Sequence, residues 1–592
     1  MRKLLRACLI TLLAATACLN VLKAEMAELF PIEDIKPNMR GKTYTVMQGT
    51  EIVPLETEVL GVLKNGLGPG KDLIIGRLLD EKTKLTGAVH GMSGSPLYID
   101  GKLVGALSRR LMNFEKDGHC GFTPIRDMLD VQNRGRGKKE DKVGASPFLA
   151  FWPQGATSGF ISAALSSKPD SGHWLTVPLS MSGWSEGMLN SMQPLFKGLT
   201  GFMPLATTSG AGVTSKSIKI EPGSALSVLL IDGDLRAGGT GTATTVDGNK
   251  VTAFGHPMMG MGPTSLPMAS AEIITTLPSY SVPHKIANIG QACGTIWQDR
   301  LSAIAGELGP TPVMASYEVK RKHDNNVRPT LKGTFVKEEW VAPQLMAMLM
   351  ARAIMDEQDF SEDATIRLNG EIKFKGLPSY QIRGLYSGAS DQRMQSLFDQ
   401  LNPLMNLYQR FPKQVEVESL VLTVVSFESA SQWKLETLNV RDRKLSKGQS
   451  VQAILRFKNG LGLVRVEEAE LTVPEELKNT GFRLRAISGA QLQTLEQAFK
   501  NSAGVGTASD YLNSLSRTYS SDALYLQIVT NEPSVVSRNS LQLGLPFSVV
   551  ETMNDSNHEA VRLTSAAKVW IEKKIQLPGV VTGSADTGME IE

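Results

Sequence analysis

The chain has 592 residues, 42% of them hydrophobic and 20% charged, a composition that excludes a disordered or fibrous protein and exceeds what one hydrophobic core can organise. Its formal net charge of +3, from 62 basic and 59 acidic residues, gives no electrostatic case for binding nucleic acid or an anionic membrane. Four cysteines and seven dispersed histidines show no metal-ligand spacing, and neither a metal nor an organic cofactor is implied.

The chain opens on Arg2, Lys3 and Arg6, followed by an apolar run from about Ala7 to Val21 and small residues near Ala24. This reads as a secretory signal peptide, residues 1–24, and predicts export to the periplasm, the cell envelope or the medium. A lipid-modified Cys18 is a weaker reading, because Ala15 stands where an aliphatic residue is usual. The run is short for a bilayer span and no later stretch reaches about 18 consecutive apolar residues, so no integral span is expected after cleavage. Only Cys120 and Cys293 remain in the exported chain, enough for at most one disulfide.

Residues 25–135 form a first β lobe. "YTVMQGTEIVPLETEVLGVL", "DLIIGRLL" and "PLYIDGKLVGAL" are short, glycine-punctuated strands, and Asp100-Gly101 marks a two-residue hairpin. The charged "NRGRGKKEDK" (133–142) reads as an exposed linker. A second β lobe follows at 140–315, with a further hairpin at Asp247-Gly248. Between 316 and 412 apolar residues at helical spacing alternate with strands, an α+β region whose methionines are core filler. Alternating runs at 413–575 suggest a β-sandwich-like module, and 576–592 reads as a polar tail.

Two motifs bear chemistry. In "VHGMSGSPLYIDG" Ser93 sits in a glycine-rich bend entering the hairpin. Gly91 can turn its amide toward the same point as the amide of Ser93, a donor pair suited to an oxyanion. The plainer alternative is a tight turn whose serines cap backbone groups, and the Ser95 hydroxyl is expected to serve the turn in either case. In "AFGHPMMGMG" His256 is held between Gly255 and Pro257 directly after a strand, a rigid placement for a general base; a satisfied turn histidine is the alternative. His90 is a rival base, although the turn that aims the Gly91 amide inward directs His90 away.

Residues 41 to about 130 resemble the C-terminal part of the SpoIVB (stage IV sporulation protein B) family of serine peptidases, through "YTVMQGTEIVPLETEVLGVL", "TGAVHGMSGSPLYIDGKLVGAL" and "TPIRDML". Residues 238 to 310 are similar to an earlier segment of that family, through "GGTGTATTVDGNKVTAFGHP" and "CGTIWQDRLSAIAGELG". The resemblance implies a chymotrypsin-like double β-barrel, with nucleophile and base on Ser93 and His256, and protein or peptide substrates. It also implies a permuted lobe order, since the family's histidine segment comes first whereas here His256 follows Ser93 by 256 − 93 = 163 residues; triad geometry does not depend on chain order. The family's PDZ domain has no counterpart in the 41 − 25 = 16 residues between the signal segment and the start of the resemblance at residue 41.

The family's acid has no direct match. The corresponding position in "LIIGRLLDEK" is aliphatic, with Asp80 just beyond it, and Asp299 in "IWQDRLSAI" lies 299 − 256 = 43 residues after the base. Asp299 is the preferred third member, Asp80 and then a backbone carbonyl the alternatives, and an ion pair with Arg300 the non-catalytic reading of Asp299. Overall the sequence predicts a mainly β, multidomain chain acting as an exported serine endopeptidase through a Ser93/His256 acyl-enzyme. A catalytically inactive peptidase-like scaffold or binding protein is the alternative.

Overall fold

The computed structural model describes residues 28–592, except 113–116, 138–172, 193–201, 205–217, 280–281 and short stretches between 324 and 561. The signal segment, and the expected linker beyond residue 137, lie outside the described residues. Two compact units emerge. The first takes in the described residues up to Val313 other than Trp184–Met192; these belong with the second unit, which runs from Met314.

The first unit contains two closed six-stranded barrels. In the first barrel, β1 (Met39–Val46), β2 (Ile52–Gly68), β3 (Lys71–Leu78), β4 (Pro96–Ile99), β5 (Lys102–Arg110) and β6 (His119–Pro124) join in the order β1-β2-β3-β6-β5-β4, and β4 pairs back onto β1. The Asp100-Gly101 hairpin forms where the sequence places it: both residues have positive φ, 49° and 77°, so the turn follows the twist of its strands. Val59, Ile74, Leu78, Leu97, Leu107 and Phe122 fill the interior.

After β7 (His173–Trp174), β8 (Val177–Ser182) and β9 (Phe202–Pro204), the second barrel is built from β10 (Ala225–Gly233), β11 (Arg236–Asp247), β12 (Lys250–Ala253), β13 (Gly262–Leu277), β14 (His284–Arg300) and β15 (Ala303–Leu308). Its closed order is β10-β11-β12-β15-β14-β13. Numbered from the first strand of each, both barrels read 1-2-3-6-5-4. The fold is therefore a chymotrypsin-like double β-barrel made from one arrangement used twice. Between the barrels, the helix Ile125–Asn133 inserts Ile125, Met128 and Val131 into a buried cluster with Leu103 and Ala106 of the first and Trp297, Ala303 and Ala305 of the second.

The second unit begins with a five-stranded sheet in the order 380–387, 365–374, 417–427, 315–323, 326–335. It is accompanied by the helices Ala342–Ile354 and Ser390–Arg410. Met346, Met348 and Met350 are buried, as expected of core filler. A sandwich follows: strands from Gln432 to Thr472 and strands from Gly481 onward share one core that includes Leu455, Phe457, Leu484, Leu526 and Ile528. The end of the chain departs from the expected polar tail. Ser584–Ile591 is a strand paired antiparallel with Gly481–Ser488, and Met589 is in the core. Backbone pairing recruits a segment whose side chains carry little apolar signal.

Candidate active site

Ser93 and His256 occupy equivalent places. Each lies in the connection between the third and fourth strands of its barrel, Ser93 just before β4 and His256 just after β12. The repeated strand order thus brings one connection from each barrel to a shared seam.

The Ser93 turn is fixed from both sides. Gly91 and Gly94 adopt φ of 97° and 95°, a region that costs a residue with a Cβ strain. Inside the turn Met92 N donates to Val89 O at 2.9 Å and Ser95 N to Met92 O at 2.9 Å. Ser95 Oγ donates to Met92 O at 2.6 Å, the turn-serving role expected of it. Toward its own barrel, Gly94 N donates to Leu107 O at 2.8 Å. Toward the second barrel, the carbonyls of Gly91, Ser93 and Gly94 accept from Thr242 Oγ1 (3.1 Å), Thr242 N (2.8 Å) and Thr244 Oγ1 (2.7 Å). A Cβ at Gly94 would overlap the Thr242 carbonyl, so this glycine is needed for the close approach of β11.

With the carbonyls drawn outward, the amides of Gly91 and Ser93 donate to no described group. Two amides that donate to no described group, beside a serine, are available to a developing oxyanion. The Ser93 side chain is 0% exposed and its Oγ has no hydrogen-bond partner among the described residues, so it is not bonded to His256 in this conformation.

His256 is 1% exposed. It follows Phe254 and Gly255, both at positive φ (71° and 69°), and Thr123 Oγ1 of the first barrel donates to Gly255 O at 2.6 Å. Nδ1 lies 2.7 Å from Pro257 O, and the nearby Leu175 backbone also favours the protonated ring. Burial pushes its pKa down to about 4, against the opposing pull of these carbonyls. The ring is neutral at pH 7, the form a general base needs.

Asp299 sits near the β14–β15 turn and is fully buried, but its carboxylate is engaged by the loop after the histidine. Met258 N and Met259 N donate at 2.8 Å to Oδ1 and Oδ2, and Met261 N at 3.4 Å to Oδ2. Burial raises its pKa, while these amides pull it back down. The structure therefore gives the preferred acid a role in anchoring residues 258–261, and places the Pro257 carbonyl at His256 Nδ1. Neighbouring Arg300 Nε donates to Gln298 Oε1 at 2.7 Å. Asp80, the alternative acid, accepts from Glu56 N at 2.7 Å in the first barrel. His90, the rival base, turns Nδ1 to Thr176, 3.0 Å from both its carbonyl and its hydroxyl.

Two features were beyond the sequence reading. Lys285 is wholly buried, its stem lies 3.1–3.3 Å from where a Gly91 Cβ would stand, and Nζ donates to Thr45 Oγ1 at 2.8 Å. Its backbone N also donates to His90 O at 3.0 Å. The other is the segment around Leu175, which carries no motif. Cys120 and Cys293 are free. Among the described residues no cluster of metal-ligating side chains occurs, and no helix is long and apolar enough to cross a membrane.

Residues 17–129 match the SpoIVB peptidase S55 family. The match includes Ser93, Gly91 and the rest of the turn, and it makes this lobe peptidase-like at the level of the family; it ends before β7 and so does not extend to His256 or Asp299. No curated protein and no solved structure matches the chain.

Proposed function

We propose that the protein is an exported serine endopeptidase of the SpoIVB type that cleaves protein substrates through a Ser93/His256 acyl-enzyme. The observation that carries this is the symmetry of the seam: equivalent connections of two like barrels deliver a serine and a neutral histidine, beside two undonated amides. In this reading His256 takes the Ser93 proton as Oγ attacks a peptide carbonyl, and the amides of Gly91 and Ser93 hold the oxyanion, a contribution of about 100-fold to 1000-fold in rate. His256 then protonates the leaving amine, and water deprotonated by His256 releases the acyl group. The Pro257 carbonyl fixes the Nδ1–H tautomer, leaving the other nitrogen as the base. Export rests on the basic and apolar N-terminal segment.

A second reading, an inactive peptidase-like scaffold, is favoured by one observation: Ser93 is buried and unbonded. Fluorophosphonate labelling of the purified full-length chain, followed over hours, separates the two. The peptidase reading expects labelling that disappears in Ser93→Ala and persists in Ser95→Ala. Equal labelling of wild type and Ser93→Ala would leave the scaffold reading.

A further inference from the structure

We propose that the protein forms a two-fold symmetric dimer through the free edge of its sandwich, the strand Val464–Thr472 of one copy pairing antiparallel with the same strand of a second copy about Val466. The surface belongs to the second unit alone and stands apart from the peptidase reading.

The stretch "FKNGLGLVRVEEAELT" (457–472) folds as a hairpin longer than the core beneath it. Gly462, at a φ of 83°, donates its amide to Asn459 O at 3.0 Å and closes a short loop between Ser450–Asn459 and Val464–Thr472. Further along, Ala469 and Leu471 enter the sandwich core, which makes the odd-numbered positions the inner face of the strand. Nearer the loop the hairpin outruns that core. Leu461 is 84% exposed, and Leu463, Val464 and Val466 are 60%, 46% and 55% exposed. Aliphatic residues clustered in this way on a surface mark a site of association.

The strand ends its four-stranded sheet, with Ser450–Asn459 on one side and, among the described residues, no strand on the other. Leu463 O accepts from Asn459 N at 3.0 Å, and Val473 N donates to Gln449 O at 2.8 Å. Odd-numbered residues therefore turn their backbone groups to the neighbouring strand, and even-numbered ones turn theirs to the open edge. Lys573, from the strand Arg562–Gln576 of the other sheet, donates from Nζ to Glu470 O at 3.4 Å and covers that end. What remains are the N–H and C=O groups of Val464, Val466 and Glu468, a short template for another strand.

Charge selects the occupant and its register. Arg465 and Glu467 flank Val466, and Arg465 Nε donates to Glu467 Oε1 at 2.5 Å. When two copies pair about Val466, Arg465 of each stands opposite Glu467 of the other, at the non-hydrogen-bonded positions where facing side chains come closest. Val464 then faces Glu468, so every open backbone group finds a partner, and Leu463 of each copy meets Ala469 of the other at the rim of the core. Centred one residue earlier or later, the same pairing would set Arg465 against Arg465 or Glu467 against Glu467. Centred on Val464 it would leave Arg465 facing Leu463, and centred on Glu468 it would need the carbonyl that Lys573 covers. A second copy is thus a strand whose charges match this edge, and the closed pair leaves neither edge open.

So short an edge gives a weak dimer, which sedimentation equilibrium of the purified full-length chain from about 1 to 200 μM can read. The wild-type mass should rise over this range towards two chains and stop there. Arg465→Glu and Glu467→Arg each turn both attractive pairs into repulsive ones, and each should weaken association at least about tenfold. An equimolar mixture of the two variants should associate again, because each supplies the charge that the other lacks. Should either fail to fold, Val466→Lys, which sets two like charges on the axis, takes its place and should give the same loss. A wild type that stays monomeric at every concentration, a dimer that none of these variants weakens, or two charge variants with the wild-type melting temperature that stay apart on mixing would overturn the pairing.

Discussion

Lys285 is the residue whose placement is least expected from its chemistry. Burial lowers its pKa to about 7, and no neighbouring charge contributes to the shift. In the unfolded chain the same ammonium keeps its proton to the ordinary value of 10.5. Between those limits the unfolded state binds the extra proton, so stability rises with pH through the window and the full penalty is present below it. The shift corresponds to about 2 kcal/mol gained from pH 7 to 9. Lys285→Met keeps the apolar stem over Gly91 and removes the titration, so urea unfolding should show the variant more stable than wild type at pH 6 and missing that rise. Parallel curves for the two proteins would contradict it. His90 and His256 act in the same direction at lower pH, since burial lowers both to about 4. Each contributes a loss of stability as the pH falls from about 6.5, where the unfolded imidazoles begin to protonate, towards 4.

Among the elements, the loop 256–261 is where sequence reading and structure part company. The turns that carry Ser93, Gly91 and His256 were legible because short glycine-framed motifs fix a local backbone, and the Asp100-Gly101 hairpin was legible for the same reason. Asp299 was legible as an acid in the same lobe as the histidine, but spacing cannot tell whether a carboxylate faces an imidazole or the amides beside it. Its two oxygens are taken by Met258, Met259 and Met261. Asp299→Asn replaces one acceptor with a donor that faces these amides, at a cost of about 2 kcal/mol. A lower melting temperature and slower, still Ser93-dependent, fluorophosphonate labelling are expected. Loss of labelling as complete as in His256→Ala would instead make Asp299 part of the proton-transfer machinery. The strand 584–591 and the segment 173–176 escaped for a related reason: both are held by main-chain pairing to a strand distant in sequence, and such pairing leaves little trace in the order of side chains.

At the scale of the molecule, the two barrels are alike in strand order yet neither is complete alone. The serine barrel presents Leu103, Ala106 and the helix residues Ile125, Met128 and Val131 to Trp297, Ala303 and Ala305. Its turn depends on Thr242 and Thr244 to hold the carbonyls of Gly91, Ser93 and Gly94. A fragment of residues 25–135 would expose that apolar face and lose those three bonds to the serine turn. Exposed apolar patches of this kind drive association, and an unanchored glycine turn has many conformations to sample. The fragment should therefore aggregate, or remain soluble without reacting with fluorophosphonate, and a fragment of residues 140–315 should be unreactive for want of the serine. Mixing them during refolding should restore Ser93-dependent labelling, because the missing contacts are noncovalent and both barrels supply them. Labelling of 25–135 alone at the rate of the full chain would mean that Ser93 is activated from within its own barrel, which would remove His256 from the reaction and return attention to His90.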